Sequence, residues 1–140
     1  MKNKIKQKIA TVSSLILGLT FGLPNQPAQA TTETHCVPFG KNHTCVTVSH
    51  SGLKVDSVSG KFDIDYTQKC IPNWHYRISF KDKNNNEYAK INGGTHKTCD
   101  KSGSYTVRYN KTPFKEGSIC ASLYDFDTIF ITSACLPIKP

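Results

Sequence analysis

The stretch Trp74-His75-Tyr76-Arg77-Ile78-Ser79-Phe80-Lys81 decides the fold class. Trp74, Tyr76, Ile78 and Phe80 alternate with His75, Arg77, Ser79 and Lys81. A period of two, written in aromatic and β-branched residues, is the signature of a strand with one face in a core and one in water. The same alternation returns in Phe62-Asp63-Ile64-Asp65-Tyr66 and in Tyr105-Thr106-Val107-Arg108-Tyr109. Further strand candidates are 44–49, 53–58, 88–91, 119–124 and 128–136, set apart by Gly, Asn, Asp and Pro turns. No segment carries a helical apolar stripe. The reading is all-β: a small antiparallel β-sandwich (Ig-like or Greek-key) or barrel of about eight short strands.

Turn chemistry proposes a register. Asn84-Asn85 lies between the run ending at Lys81 and the run starting at Tyr88, and Asn tolerates the positive φ of a tight hairpin turn. Symmetry about that turn sets Ile78 opposite Ile91, Phe80 opposite Ala89 and Tyr76 opposite Gly93. It also brings Cys70 level with Cys99. A bulge at Gly93-Gly94 shifts the far end of that pairing. The run 119–136 folds about a turn at 125–128, which sets Cys120 opposite Cys135. Cys36 and Cys45 remain, closing a short loop around Gly40-Lys41.

All six cysteines, Cys36, Cys45, Cys70, Cys99, Cys120 and Cys135, follow an N-terminal segment built like a secretory leader. Lys2, Lys4, Lys6 and Lys8 precede a mostly apolar run from Ile9 to Leu23, and Ala28-Gln29-Ala30 supplies a small-x-small cleavage site. The apolar run is shorter than the ~20 residues a membrane span requires. Two parts are therefore expected: residues 1–30 as signal peptide, and residues 31–140 as one secreted, disulfide-rich β domain. The even cysteine count in a short exported chain reads as three disulfides, extracellular, or periplasmic if the source is Gram-negative. No two cysteines have the close spacing of a zinc site, so no metal and no cofactor is expected.

Removing residues 1–30 takes four lysines and no acid, leaving 14 cations against 10 acids, a net charge of +4. That balance suits anionic surfaces but argues against nucleic acid, and nothing in the remaining chain suggests stable membrane insertion. The predicted solvent face of the central hairpin carries His75, Arg77, Lys81, Tyr88 and Lys90, with His96 as a diagonal neighbour of His75 in the derived register. This cationic face is the expected binding site.

The same imidazole pair with Arg77 and Lys90 suits metal binding or acid–base work on a phosphodiester, and a small hydrolase using His75/His96 is the enzymatic alternative. Against it stand the absence of a Gly-x-Ser-x-Gly elbow or HExxH motif and the commitment of every thiol to a disulfide. No carboxylate is expected on that face, since Glu87 and Asp82 have the opposite parity. Asp63 with Asp65, and Asp125 with Asp127, read as solvated positions rather than catalytic or calcium-binding pairs. Trp74 reads as core. The glycosylation matches Asn42-His43-Thr44 and Asn110-Lys111-Thr112 are taken as chance.

The expected function is a secreted, non-enzymatic binding protein acting on an extracellular protein, glycan or anionic surface. A toxin-like or inhibitor-like antagonist is the alternative, with its contact residues on a rigid loop between Val37 and Thr44. Sequence fixes no oligomeric state.

Overall fold

A computed structural model describes residues 29–65, 67, 69–109, 113–126 and 128–140. The leader up to residue 28, Tyr66, the match at residues 110–112 and Asp127 lie outside the described residues.

Nine strands form among the described residues: β1 (Thr31–Phe39), β2 (Asn42–Ser51), β3 (Lys54–Asp63), β4 (Ile71–Asp82), β5 (Glu87–Asn92), β6 (His96–Asp100), β7 (Ser102–Arg108), β8 (Gly117–Asp125) and β9 (Ile129–Ile138). They make two antiparallel sheets. One has the order β9-β8-β4-β5, with β6 also paired to β4; the other has the order β1-β2-β3-β7. All-β architecture with two antiparallel sheets and three disulfides is as expected.

Three details differ from the expected strand list. β1 and β6 lie outside that list, and the run 53–58 continues through Phe62 and Asp63 as one strand, β3. The continuation turns on Gly60. A Cβ there would lie 2.6 Å from the Tyr76 ring, so the glycine marks a close approach rather than a turn. Gly103 does the same for Trp74, whose Cζ2 would be met by a Cβ at that position.

The core fills the space between the sheets with alternate residues of each strand. Val46, Val48, Val55, Val58 and Phe62 come from one sheet; Trp74, Tyr76, Ile78, Phe80, Ile119, Leu123 and Leu136 come from the other. A polar contact crosses this core. The Tyr76 hydroxyl donates to Thr44 Oγ1 at 2.5 Å, and Thr44 Oγ1 donates to the Lys61 carbonyl at 3.0 Å. Both groups are buried and both find partners, as buried hydroxyls require. Burial, opposed by the Thr44 hydrogen bond, pushes the Tyr76 phenol well above its ordinary range.

The disulfides are Cys36–Cys45, Cys70–Cys99 and Cys120–Cys135. The first and third join residues directly opposite in register, with Cα atoms 4.0 Å apart. The β4–β5 register is the expected one at Ile78↔Ile91 and Phe80↔Ala89, and Gly93 N–H donates to the Tyr76 carbonyl at 2.7 Å. Asn84-Asn85 lies within a longer turn. Asp82 Oδ1 accepts the backbone N–H groups of Asn84 (2.9 Å) and Asn86 (3.0 Å), and Asn85 takes φ +67°. This closure displaces the end of the ladder, so that Lys81 faces Glu87. Past Gly93 the pairing shifts again: Pro72 faces Cys99 and Trp74 faces His96, so Cys70 is bonded to Cys99 without standing opposite it.

Candidate functional site

Those two shifts rearrange the expected binding face. His75, Arg77 and Lys81 project from the outer face of β4, and Lys90 lies opposite Ser79 on the same face. Tyr88 and His96 leave it. Tyr88 falls at the bulge and packs toward the core against Phe80, ring centroids 6.4 Å apart, while its hydroxyl accepts the Lys115 N–H at 3.1 Å. His96 stands opposite Trp74, not beside His75, and stacks on the indole with centroids 3.8 Å apart and planes at 2°. The expected His75/His96 pair is thus split between the two faces of the sheet. The shift around Gly93 is the cause, because one residue of slip reverses which face a side chain occupies.

The same logic corrects the expectation for Glu87. The bulge carries it onto the outer face, where both carboxylate oxygens accept from Arg77 Nη2, at 2.8 and 3.0 Å. A hydrogen bond from Ser79, helped by the Arg77 guanidinium, holds the Glu87 carboxyl below its usual range. Arg77 is therefore neutralised at close range, and the face is less cationic than the sequence suggested. Its Nε is buried with no hydrogen-bond partner among the described residues.

A histidine–carboxylate contact that the sequence did not point to lies on the other sheet. His50 Nε2 is 2.8 Å from Glu33 Oε2, and His50 Nδ1 is 2.8 Å from the Gly52 carbonyl. Each ring nitrogen thus lies at hydrogen-bond distance from an oxygen acceptor. The contact ties the start of β1 to β2. The Val37–Thr44 segment, expected as a rigid loop, is paired strand closed by a turn at Gly40 (φ +66°). Within the first glycosylation match, Asn42 Oδ1 accepts the Asp65 N–H at 2.8 Å, while Thr44 is fully buried.

The most distinctive surface is at the β8–β9 turn. Phe126, Ile129 and Phe130 are 56%, 54% and 55% exposed, and they are the exposed large hydrophobic residues among those described. The turn is closed by Thr128 N–H to the Asp125 carbonyl at 3.1 Å, with Phe126 at φ +45°. An aromatic row runs inward from it across three strands. Phe130 meets Tyr124 edge-on at 5.7 Å, and Tyr124 stacks on His75 at 4.9 Å with planes at 4°. Beside the turn, Phe126 N–H donates to the Pro72 carbonyl at 3.1 Å. There a cavity of about 610 Å³ is lined by Lys69, the Cys70–Cys99 disulfide, Pro72, Lys101, Asp125 and Phe126. Two smaller cavities, about 310 and 350 Å³, lie at the opposite end around Asp82, Lys83 and Glu116.

The expectation for the turn at 125–128 concerned its acids, Asp125 and Asp127, and not its apolar residues. The available signal was that turns favour Gly, Asn, Asp and Pro, whereas this one places Phe126, Ile129 and Phe130 in or beside the bend.

No family model matches the chain, and no curated protein matches it. One solved structure that it resembles is that of an endonuclease/exonuclease/phosphatase from Beutenbergia cavernae DSM 12333, at 15% identity and a TM-score of 0.36. The match covers 80% of this chain and 27% of the other, so the chain spans about a quarter of that protein's length. A likeness of that grade carries no argument about activity.

Proposed function

We propose that residues 31–140 form a secreted, non-enzymatic binding protein that engages an extracellular protein through the apolar end of the β8–β9 hairpin. The observation that carries this reading is the cluster of Phe126, Ile129 and Phe130, each more than half exposed on one turn and continuous with Tyr124. Singly exposed apolar residues are ordinary, but a contiguous patch of them marks an interaction surface. Aromatic anchors on a rigid support are the side chains that dominate protein interfaces. The support here is a hairpin stapled by Cys120–Cys135 and backed by core residues Ile119, Ala121 and Leu123.

Three disulfides agree with an oxidising setting outside the cytoplasm. The leader ending at Ala28-Gln29-Ala30 supplies the route. Of the outer-face residues, His75 adjoins the patch through Tyr124, while Lys81 lies toward the opposite end of β4.

The test compares binding of labelled protein to the surface and extracellular fraction of the source cells with that of the variant Phe126→Ser/Ile129→Ser/Phe130→Ser. The variant is expected to keep the wild-type melting temperature and lose most binding, while Lys90→Glu keeps it. A triple variant that binds like wild type refutes the assignment.

A further inference from the structure

We propose that the cavity beside Phe126 is a binding site for a small amphiphile with an apolar body and one anionic head. At about 610 Å³ it falls in the size range of small-molecule sites. Its walls are of two kinds. Phe126 and Pro72 offer an aromatic ring and a pyrrolidine ring, which suit an apolar body. Lys69 and Lys101 bring two positive charges and Asp125 one negative charge. Among the described lining residues the formal charges sum to +1, which a monoanion complements.

The floor and rim are held in place. Cys70–Cys99 fixes β6 to the start of β4, and the Phe126 N–H to Pro72 carbonyl bond seats the hairpin turn on the opposite rim. Asp125 belongs to the hairpin wall, while Lys69 and Lys101 adjoin the disulfide. The anionic head is thereby directed to the disulfide side and the apolar body to Phe126. Asp125 Oδ1 is buried without a hydrogen-bond partner among the described residues, so this carboxylate gives an incoming anion nothing but repulsion.

This site is separate from the proposed docking patch except for Phe126, since Ile129 and Phe130 do not line the cavity. The probe is anilinonaphthalenesulfonate, an aromatic monoanion, set against N-phenylnaphthylamine, the same body without the sulfonate. The exported protein is expected to bind one equivalent of the sulfonate dye.

Lys69→Gln/Lys101→Gln, at two exposed positions, is expected to weaken that binding about tenfold, the scale of two exposed ion pairs, and to leave N-phenylnaphthylamine unchanged. Asp125→Asn is expected to tighten the sulfonate dye, and Phe126→Ser to weaken both dyes. Ile129→Ser/Phe130→Ser is expected to lose partner binding while keeping dye binding, which separates failure of this site from failure of the docking patch. Near-ultraviolet circular dichroism confirms that each variant is folded. Dye binding that does not saturate at one equivalent overturns the proposal, as does a lysine double variant that binds the sulfonate like wild type or loses both dyes equally.

Discussion

His96 lies flat on Trp74, with ring centroids 3.8 Å apart, and the Trp74 indole N–H donates to Asp100 Oδ2 at 2.6 Å. Both partners come from β6, so one short strand seals one face of the indole and satisfies its only polar atom. Asp100 is pre-set for this by the Thr98 hydroxyl, which donates to the same oxygen at 2.6 Å. Trp74 is 2% exposed at the margin of the core, where the stacked imidazole takes the place of further aliphatic packing. His96→Ala is expected to uncover the ring. Because Trp74 is the only tryptophan, acrylamide quenching of protein fluorescence reads this directly. Asp100→Ala leaves a part-buried N–H unpaired and is expected to cost about 1–3 kcal/mol, with Asp100→Asn costing less. Unchanged quenching in His96→Ala would contradict the stacking.

Gly60 poses a contest between backbone propensity and packing. In an open strand, Gly→Ala gains about 0.5–1 kcal/mol. Here the new Cβ would meet the Tyr76 ring at 2.6 Å, and that ring cannot retreat without breaking its bond to Thr44. Overpacking of this kind costs about 1–3 kcal/mol, so the clash wins and Gly60→Ala is expected to lower stability. Gly94→Ala is the control, since nothing lies within 4 Å of its Cβ position. Equal denaturation midpoints for the two variants would rule out the close approach.

The contrast between β4 and its neighbours shows what a sequence can carry. Alternation at Trp74 to Lys81 and the Asn-rich turn were enough for the strand, its buried face and the pairs Ile78↔Ile91 and Phe80↔Ala89. These are local properties. The partners of Tyr88 and Glu87 depended on a ladder shift at Phe80/Lys81, where Asp82 caps the turn and Tyr88 docks against the segment around Lys115, and the partner of His96 on a second shift between Pro72 and Trp74. Gly93-Gly94 signalled the slip that moves His96, whereas no local pattern signalled the one that moves Tyr88 and Glu87, and each slip flips a side chain to the other face.

A Cys-aliphatic-Pro unit recurs in Cys36-Val37-Pro38, Cys70-Ile71-Pro72 and Cys135-Leu136-Pro137. Each proline follows a bonded cysteine by two residues. Pro38 and Pro137 lie on β1 and β9, the outermost strands of their sheets, where a missing N–H is tolerated. Pro72, by contrast, lies on β4 inside its sheet, so the Cys-aliphatic-Pro unit alone does not mark an edge strand.

The cleavage site makes its own prediction. Thr31 opens β1, and it stands opposite His50, close to the Glu33–His50 contact. Cleavage after Ala30 would leave that strand whole. The intact mass of the exported protein is expected to correspond to residues 31–140 with three disulfides. A mass that retains residues 1–30 would remove the secretion reading.

Acid should unfold this domain through four carboxylates. Each is held below its ordinary range by a donor in the fold: Asp65 by the Thr67 backbone N–H, Asp82 by the Asn86 backbone N–H, Glu87 by Ser79, and Asp100 by the Thr98 hydroxyl. A group whose pKa is depressed by folding binds its proton more tightly in the unfolded chain. Its contribution is complete above the unfolded-state value, near 4, and is lost as pH falls through the lower folded value. These four groups should therefore give a melting temperature that is flat from pH 7 to about 5 and declines below about 4. All four are solvent-accessible, so each step is small and salt reduces it. Asp82→Asn combined with Asp100→Asn is expected to shallow the acid limb, because an amide oxygen still accepts the same hydrogen bonds but no longer titrates. Calorimetry across that pH range decides the matter: an acid limb of unchanged steepness in the double variant would show that other groups carry the acid sensitivity.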